Sequence, residues 1–242
     1  MTEQIQAPEE KKRSWLKLIG KGLGYFFAIL IVVGIIGHYY WKQSGDGQWK
    51  YETEVNGTKV YTLKEPGEVY LKVKMNGVFR GSLSAIMKVM RDPAACEDVG
   101  CYDYNILKEE AYPRYIYYTF KYPWPAPFKD RHYVVKSEFF QDADTKAIYV
   151  DFKKTEEVQS PPGDCCVTVD AMHNIWQFKP LGEGKVEVEF IMFERPGGMF
   201  PYPMFNAYAV GEIATNVPLL QEVLDMKKYT EAVVDYVEEY DK

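Results

Sequence analysis

Residues 22–41 carry no formally charged side chain, and at their heart stands Leu-Gly-Tyr-Phe-Phe-Ala-Ile-Leu-Ile-Val-Val-Gly-Ile-Ile. Coiled as an α-helix, such a run spans about 30 Å, the thickness of a bilayer's hydrocarbon core. It offers water no polar face, which argues against a helix of a soluble domain. No small-x-small site precedes His38, which argues against a cleaved signal peptide. Tyr39, Tyr40 and Trp41 close the run like the aromatic belt found where helices leave a membrane. Lys11, Lys12, Arg13, Lys17 and Lys21 precede it, whereas only Lys42 and Lys50 follow closely. Positive charge stays cytoplasmic. The sequence therefore predicts a basic cytoplasmic tail over residues 1–21 and one transmembrane helix over 22–41. The body of the protein is expected on the extracytoplasmic side, periplasmic in a Gram-negative bacterium.

Beyond the span the chain reads as one sizeable domain, for which 242 residues suffice. Its 20 Tyr and 13 Phe fall mostly in segments that alternate apolar and polar residues, where aromatic rings suit a pleated, half-buried surface. The net charge is −6 and no basic cluster lies outside the N-terminal tail. The electrostatic footprint of nucleic-acid binding is missing, so no nucleic-acid partner is expected.

Residues 42–48, with Gly45 and Gly47, read as a short flexible linker. Asn56-Gly57 between two alternating runs is a strong hairpin signal, although Asn56-Gly57-Thr58 is also a glycosylation sequon. Val69, Leu71, Val73 and Met75 share one face of a following strand. Ser82 is placed to cap a short helix with Leu83, Ile86, Met87 and Met90 on one side, ended by Arg91-Asp92-Pro93. Strands are then predicted over 102–108, 114–122, 131–140, 147–152, 167–178 and 185–194, forming an antiparallel meander. Charged positions set the faces: Ile116, Tyr118 and Phe120 point inward, with Tyr133, Val135, Ser137 and Phe139, and with Val186, Val188, Phe190 and Met192. On this register Arg114 and Glu194 point inward near strand ends, either as solvated rim positions or as polar anchors for a ligand. A long helix is predicted from about Asn206, with Ala207, Val210, Ile213, Ala214 and Val217 on one face and a break or kink at Pro218. Residues 229–242 make an acidic helical tail.

The stretch 118–135 interrupts this sheet. Pro123, Pro125 and Pro127 fix φ and donate no ladder hydrogen bonds, so a stiff corner containing Trp124 must join two apolar strands.

Little in the chain suggests catalysis. His38, His132 and His173 lie far apart, and there is no nucleophile elbow, histidine pair at ligand spacing or glycine-rich phosphate loop. No catalytic residue is named. Cys96, Cys101, Cys165 and Cys166 fit no zinc pattern, so neither a metal nor a cofactor is expected. In an oxidising compartment Cys96 is expected to pair with Cys101 or with one of the adjacent cysteines, while Cys165 and Cys166 are not expected to pair with each other.

Four segments in order resemble the START lipid-binding domains of the helix-grip superfamily. Asn56-Gly57-Thr58-Lys59-Val60-Tyr61 is similar to that family's opening hairpin. Pro123-Trp124-Pro125 with Asp130-Arg131-His132-Tyr133-Val134-Val135 is similar to its proline-tryptophan-proline corner and following strand. Trp176-Gln177-Phe178-Lys179-Pro180-Leu181 resembles its Trp-x-x-x-Pro-Leu strand end, and Glu194-Arg195-Pro196-Gly197-Gly198 with Pro201 and Asn206 resembles its entry to the last helix. His132, Tyr133 and Arg195 depart from the family's usual Asp, Phe and Asp. The resemblance covers residues 49–228. It implies an α+β helix-grip fold, a curved antiparallel sheet wrapped around a long C-terminal helix and enclosing a tunnel for an apolar molecule.

On that reading the tunnel lining comprises Ile116, Tyr118, Tyr133, Val135, Phe190 and Met192, the helix face of Ala207, Val210 and Ala214, and Arg114 and Glu194 as polar ends. The loop 197–205 would be the gate, hinged at its glycines, with Met199, Phe200 and Tyr202 reaching a bilayer surface. The expected ligand is a sterol, polyprenoid or acyl lipid, and the expected role is to bind it and move it between membranes. A ligand sensor signalling through a protein partner, by way of the acidic tail, and a cyclase-type enzyme are the competing readings.

Overall fold

The computed structural model describes residues 9–240, with side chains described at Trp15 and from Leu18 onward. Residues 1–8 and the side chains of Lys11, Lys12, Arg13 and Lys17 in the expected basic tail lie outside the described residues, as do residues 241–242. Helix α1 runs from Glu9 to Gln43. Every side chain described from Leu18 to Tyr40 is exposed, and Leu18–Gln43 is long and apolar enough to cross a bilayer. So much bare apolar surface has no stable home in water.

Strands β1 (Trp49–Val55) and β2 (Thr58–Leu63) meet at the predicted hairpin. Asn56 and Gly57 have φ of 50° and 78°, the left-handed pair that a two-residue turn requires. β3 occupies Lys72–Arg80, starting three residues later than the alternation suggested, and helix α2 covers Leu83–Arg91. Ser82 caps α2 by accepting the Ala85 amide at 3.0 Å. Asp92 ends α2 and caps the short helix α3 (Pro93–Asp98), accepting the Ala94 amide at 2.9 Å.

The remaining strands are β4 (Tyr102–Glu110), β5 (Tyr115–Tyr122), β6 (Asp130–Gln141), β7 (Ile148–Lys154), β8 (Cys166–Thr168), β9 (Ala171–Gly182) and β10 (Lys185–Arg195). Helix α4 spans Tyr202–Leu224 and α5 spans Lys227–Thr230. Nine strands form one curved antiparallel sheet in the order β1-β2-β3-β10-β9-β7-β6-β5-β4. The architecture is α+β, with α4 held against the sheet.

Three expectations about elements need correction. The predicted strand 167–178 is two: β8 leaves the antiparallel path and pairs in parallel with the start of β6, matching Asp130 to Cys166 and His132 to Thr168. β8 extends the sheet at the edge of β6 that β7 leaves open, and the segment before it sets Ser160 against His132, while Arg131 is buried under Trp124 and the Pro196 and Gly197 carbonyls and Tyr133 faces inward as expected. α4 starts before Asn206 and runs through Pro218 without ending there. The acidic tail is helical only at α5; beyond it the chain folds back irregularly onto the domain. There Glu239 accepts the Leu83 and Ser84 amides at 3.0 and 2.7 Å, at the start of α2. Tyr236 packs on Phe139 at 5.4 Å between ring centroids and lies 4.4 Å from the Arg91 guanidinium.

The expected linker is also anchored. Gly47 N–H donates to Lys64 O at 3.2 Å, Gly67 N–H to Lys42 O at 2.7 Å, and the Lys64 ammonium to Ser44 O at 3.1 Å. Cys96 pairs with Cys101, one of the pairings the sequence left open. Cys165 and Cys166 are bonded to each other as well, contrary to expectation, with their Cα atoms 3.7 Å apart in the turn that leads into β8.

Candidate functional site

Between the concave face of the sheet and α4 lies a cavity of about 370 Å³, within the range of small-molecule sites. Aromatic rings stiffen its walls. Phe120 and Tyr133 stack with centroids 4.6 Å apart and planes 1° from parallel, and Trp176 and Phe190 stack at 4.0 Å. Tyr104 and Tyr118 close one side at 5.2 Å. From α4, Phe205, Ala209, Ile213 and Val217 supply a buried apolar stripe.

Polar groups interrupt this wall in a belt. The Tyr133 hydroxyl donates to Glu194 Oε2 at 3.1 Å and Asn174 Nδ2 donates to Glu194 Oε1 at 3.2 Å. Burial raises the Glu194 carboxyl above its ordinary value, and those two hydrogen bonds offset it only in part. Across the cavity Glu212 accepts from the Tyr122 hydroxyl and from Asn216 Nδ2, the latter at 3.0 Å. Burial and the neighbouring Glu212 carboxylate push the Tyr122 and Tyr208 phenols up. Burial also pushes Tyr104 up to about 12. Among the described residues no lysine, arginine or histidine side chain lines the cavity. Among the described residues no cluster of histidine, cysteine and carboxylate groups suits a metal ion.

Of the residues singled out from the sequence, Tyr118, Tyr133, Phe190, Met192 and Glu194 line this cavity. Ile116 and Val135 are buried on the same sheet face but pack into the core away from it. Arg114 lies in the turn before β5, outside the strand alternation, and is exposed with its guanidinium 3.3 Å from Glu138. Ala207, Val210 and Ala214 do not line the cavity, and Ala207 is exposed. α4 is turned so that Tyr208, Glu212 and Asn216 face inward. Sequence reasoning followed apolarity and missed them. Their i, i+4, i+8 spacing was the available signal, since polar residues on one line of a helix mark a shared face.

The loop before α4 is tied to the corner and to β8. Gly197 and Gly198 have φ of 70° and 63°, and a Cβ on Gly197 would stand 2.7 Å from Thr168 O. The buried Arg131 guanidinium donates to Pro196 O at 2.6 Å and Gly197 O at 3.2 Å while lying 4.0 Å over the Trp124 ring. Phe200 packs edge-on against Trp124 and Phe128 at 4.3 and 4.5 Å, whereas Met199 is 96% exposed. Tyr202 opens α4 and meets α1, with its ring 6.2 Å from Trp41 and 5.6 Å from His38. Trp41 Nε1 donates to Val69 O at 2.9 Å, and Asn206 Nδ2 donates to the same carbonyl at 3.0 Å. The departures noted in the sequence have partners of their own. His132 sits 2.8 Å from Thr119 Oγ1, Tyr133 bonds Glu194, and Arg195 pairs with Glu68.

A long α4 gripped by a curved antiparallel sheet, with a cavity between them, is an arrangement found in solved structures. A STAR-related lipid transfer protein from Xanthomonas axonopodis superposes with a TM-score of 0.66 at 21% identity, over 75% of this chain and all of that one. The chain has the START fold. Human STARD10 matches with a TM-score of 0.66 at 10% identity over 77% of each chain. Human StAR-related lipid transfer protein 5 matches at 0.64 and 15% identity over 84% of this chain and 97% of that one. No family model and no curated protein matches the sequence. At these identities the likeness shows the fold alone.

Proposed function

We propose that the protein is a membrane-anchored lipid-binding protein that holds one apolar lipid in the START cavity and exchanges it with a bilayer. The observation that carries this reading is the joint between α1 and the first turn of α4. The end of the apolar helix is bonded to Val69 and stacked on Tyr202, at the first turn of the helix that roofs the cavity. An acyl chain costs about 0.8 kcal/mol per CH₂ to expose to water, so a dry cavity held beside the bilayer removes most of the cost of leaving it. The loop 197–205 is the gate on this reading. Its glycines are the hinge, Met199 and Met204 face outward, and Phe200 is the plug against Trp124. The protein acts by binding rather than by catalysis. The N-terminus is cytoplasmic and the domain faces the extracytoplasmic side, following the charge flanking the span.

Transfer of a fluorescent lipid from vesicles carrying the reconstituted protein to acceptor vesicles tests the proposal. Transfer faster than from protein-free vesicles is expected, and Phe200→Ser is expected to change that rate. Rates equal to the protein-free background would refute the exchange role.

A further inference from the structure

The charge census of the cavity narrows its ligand. Among the described residues its lining includes Asp92, Glu194 and Glu212 but no cationic side chain, and the buried Arg131 guanidinium is spent on the Pro196 and Gly197 carbonyls. We propose that the ligand is an uncharged lipid alcohol, an apolar body ending in a hydroxyl that docks in the belt formed by Glu194, Tyr133 and Asn174. This rests on the lipid-binding reading above and specifies the ligand's head group.

Three observations support the assignment. Each Glu194 oxygen accepts one hydrogen bond, from Tyr133 or from Asn174, so the carboxyl keeps accepting capacity toward the cavity. A carboxylate or phosphate head group docked in that belt would be buried against Glu194, in a cavity whose other charged lining residues, Asp92 and Glu212, are also acidic, which is among the most costly arrangements in a protein interior. An ammonium head brings three donors and no acceptor, whereas the belt mixes carboxyl acceptors with tyrosine hydroxyls and asparagine amides that also donate. A hydroxyl offers one donor and two lone pairs and so matches that mixture. The aromatic stacks of Phe120 on Tyr133 and Trp176 on Phe190 then lie along the apolar body.

The test compares probes with one chain and three heads. Hexadecanol, palmitate and hexadecylamine compete for the full-length detergent-solubilised protein, and native mass spectrometry reads the bound fractions. Hexadecanol is expected to bind at least about tenfold more tightly than palmitate, the ratio set by one unpaired buried polar group. Glu194→Gln keeps the shape of the site and is expected to narrow that ratio, while Tyr133→Phe is expected to weaken hexadecanol alone. Palmitate binding as well as hexadecanol, or hexadecylamine binding better, overturns the head-group inference and leaves the lipid-binding reading standing. Failure of all three probes, with no lipid retained from membranes, overturns both.

Discussion

The indole of Trp41, the last residue of the apolar run, stacks on the ring of Tyr202, the first residue of α4, with planes 16° from parallel. The same indole donates to Val69 O, and the Lys64 ammonium lies 5.4 Å from its ring centroid. The apolar helix α1 and the helix that roofs the cavity thus share one joint. Trp41→Ala removes the stack and the hydrogen bond, and the domain is expected to lose about 1–2 kcal/mol. Vesicle transfer is expected to slow more than equilibrium binding in detergent weakens; equal losses in both assays would separate the joint from exchange.

Asn206 holds the other side of that joint. It accepts from the Leu71 amide and donates to Val69 O, both at 3.0 Å, and it is buried. Asn206→Ala leaves a buried amide and a carbonyl each short of a partner, so a loss of about 2–4 kcal/mol is expected in denaturant unfolding. A loss below about 1 kcal/mol would show that water replaces the side chain.

One glycine in the loop before α4 and one within α4 are expected to respond with opposite signs. Gly197 has a φ of 70° and its absent Cβ faces Thr168 O at 2.7 Å, so Gly197→Ala is expected to cost about 1–3 kcal/mol. Gly211 sits exposed in the middle of α4 with open space where a Cβ would stand, so Gly211→Ala is expected to add about 0.5–1 kcal/mol. Melting temperatures that move in the same direction would contradict this account of the two backbone sites.

Glu194 sets a pH dependence. Burial lifts its carboxyl above the ordinary 4.5, so the folded chain keeps a proton that the unfolded chain releases. Its contribution to stability is full below the unfolded value and is lost as pH rises toward the folded one. Glu194→Gln does not titrate. The melting temperatures of wild type and variant are therefore expected to converge below about pH 4 and to diverge as pH rises, with the variant the more stable at about pH 7. A difference constant from acid to neutral pH would show that the carboxyl is not raised.

Much of this architecture was legible in the residues because local chemistry and tertiary structure agree. Asn56-Gly57 makes the turn it announces, Ser82 caps the helix it precedes, and Ile148, Val150 and Phe152 bury the face that Asp151 and Lys153 leave to solvent. The errors share a cause. Alternation assumes that one strand face is wet, but the segment before β8 sets Ser160 on His132, and the loop before α4 with Trp124 encloses Arg131, so the burial of both was invisible. Apolarity was taken as the mark of an inward helix face, yet the cavity draws Tyr208, Glu212 and Asn216 inward because they satisfy one another and Tyr122. Arg114 lies in the turn before β5, so strand alternation does not set the direction of its side chain. The docking of Trp41 on Tyr202 joins residues far apart in sequence, and no local pattern encodes it.

The most direct test of the central claim is native mass spectrometry of the full-length protein extracted from its membrane, alongside Ala209→Trp, which fills the cavity roof at a buried position. The account predicts a one-to-one adduct with the mass of an uncharged lipid, lost in an Ala209→Trp protein that keeps its circular dichroism spectrum. A wild-type protein carrying no lipid, or an adduct that survives in the folded variant, would contradict it.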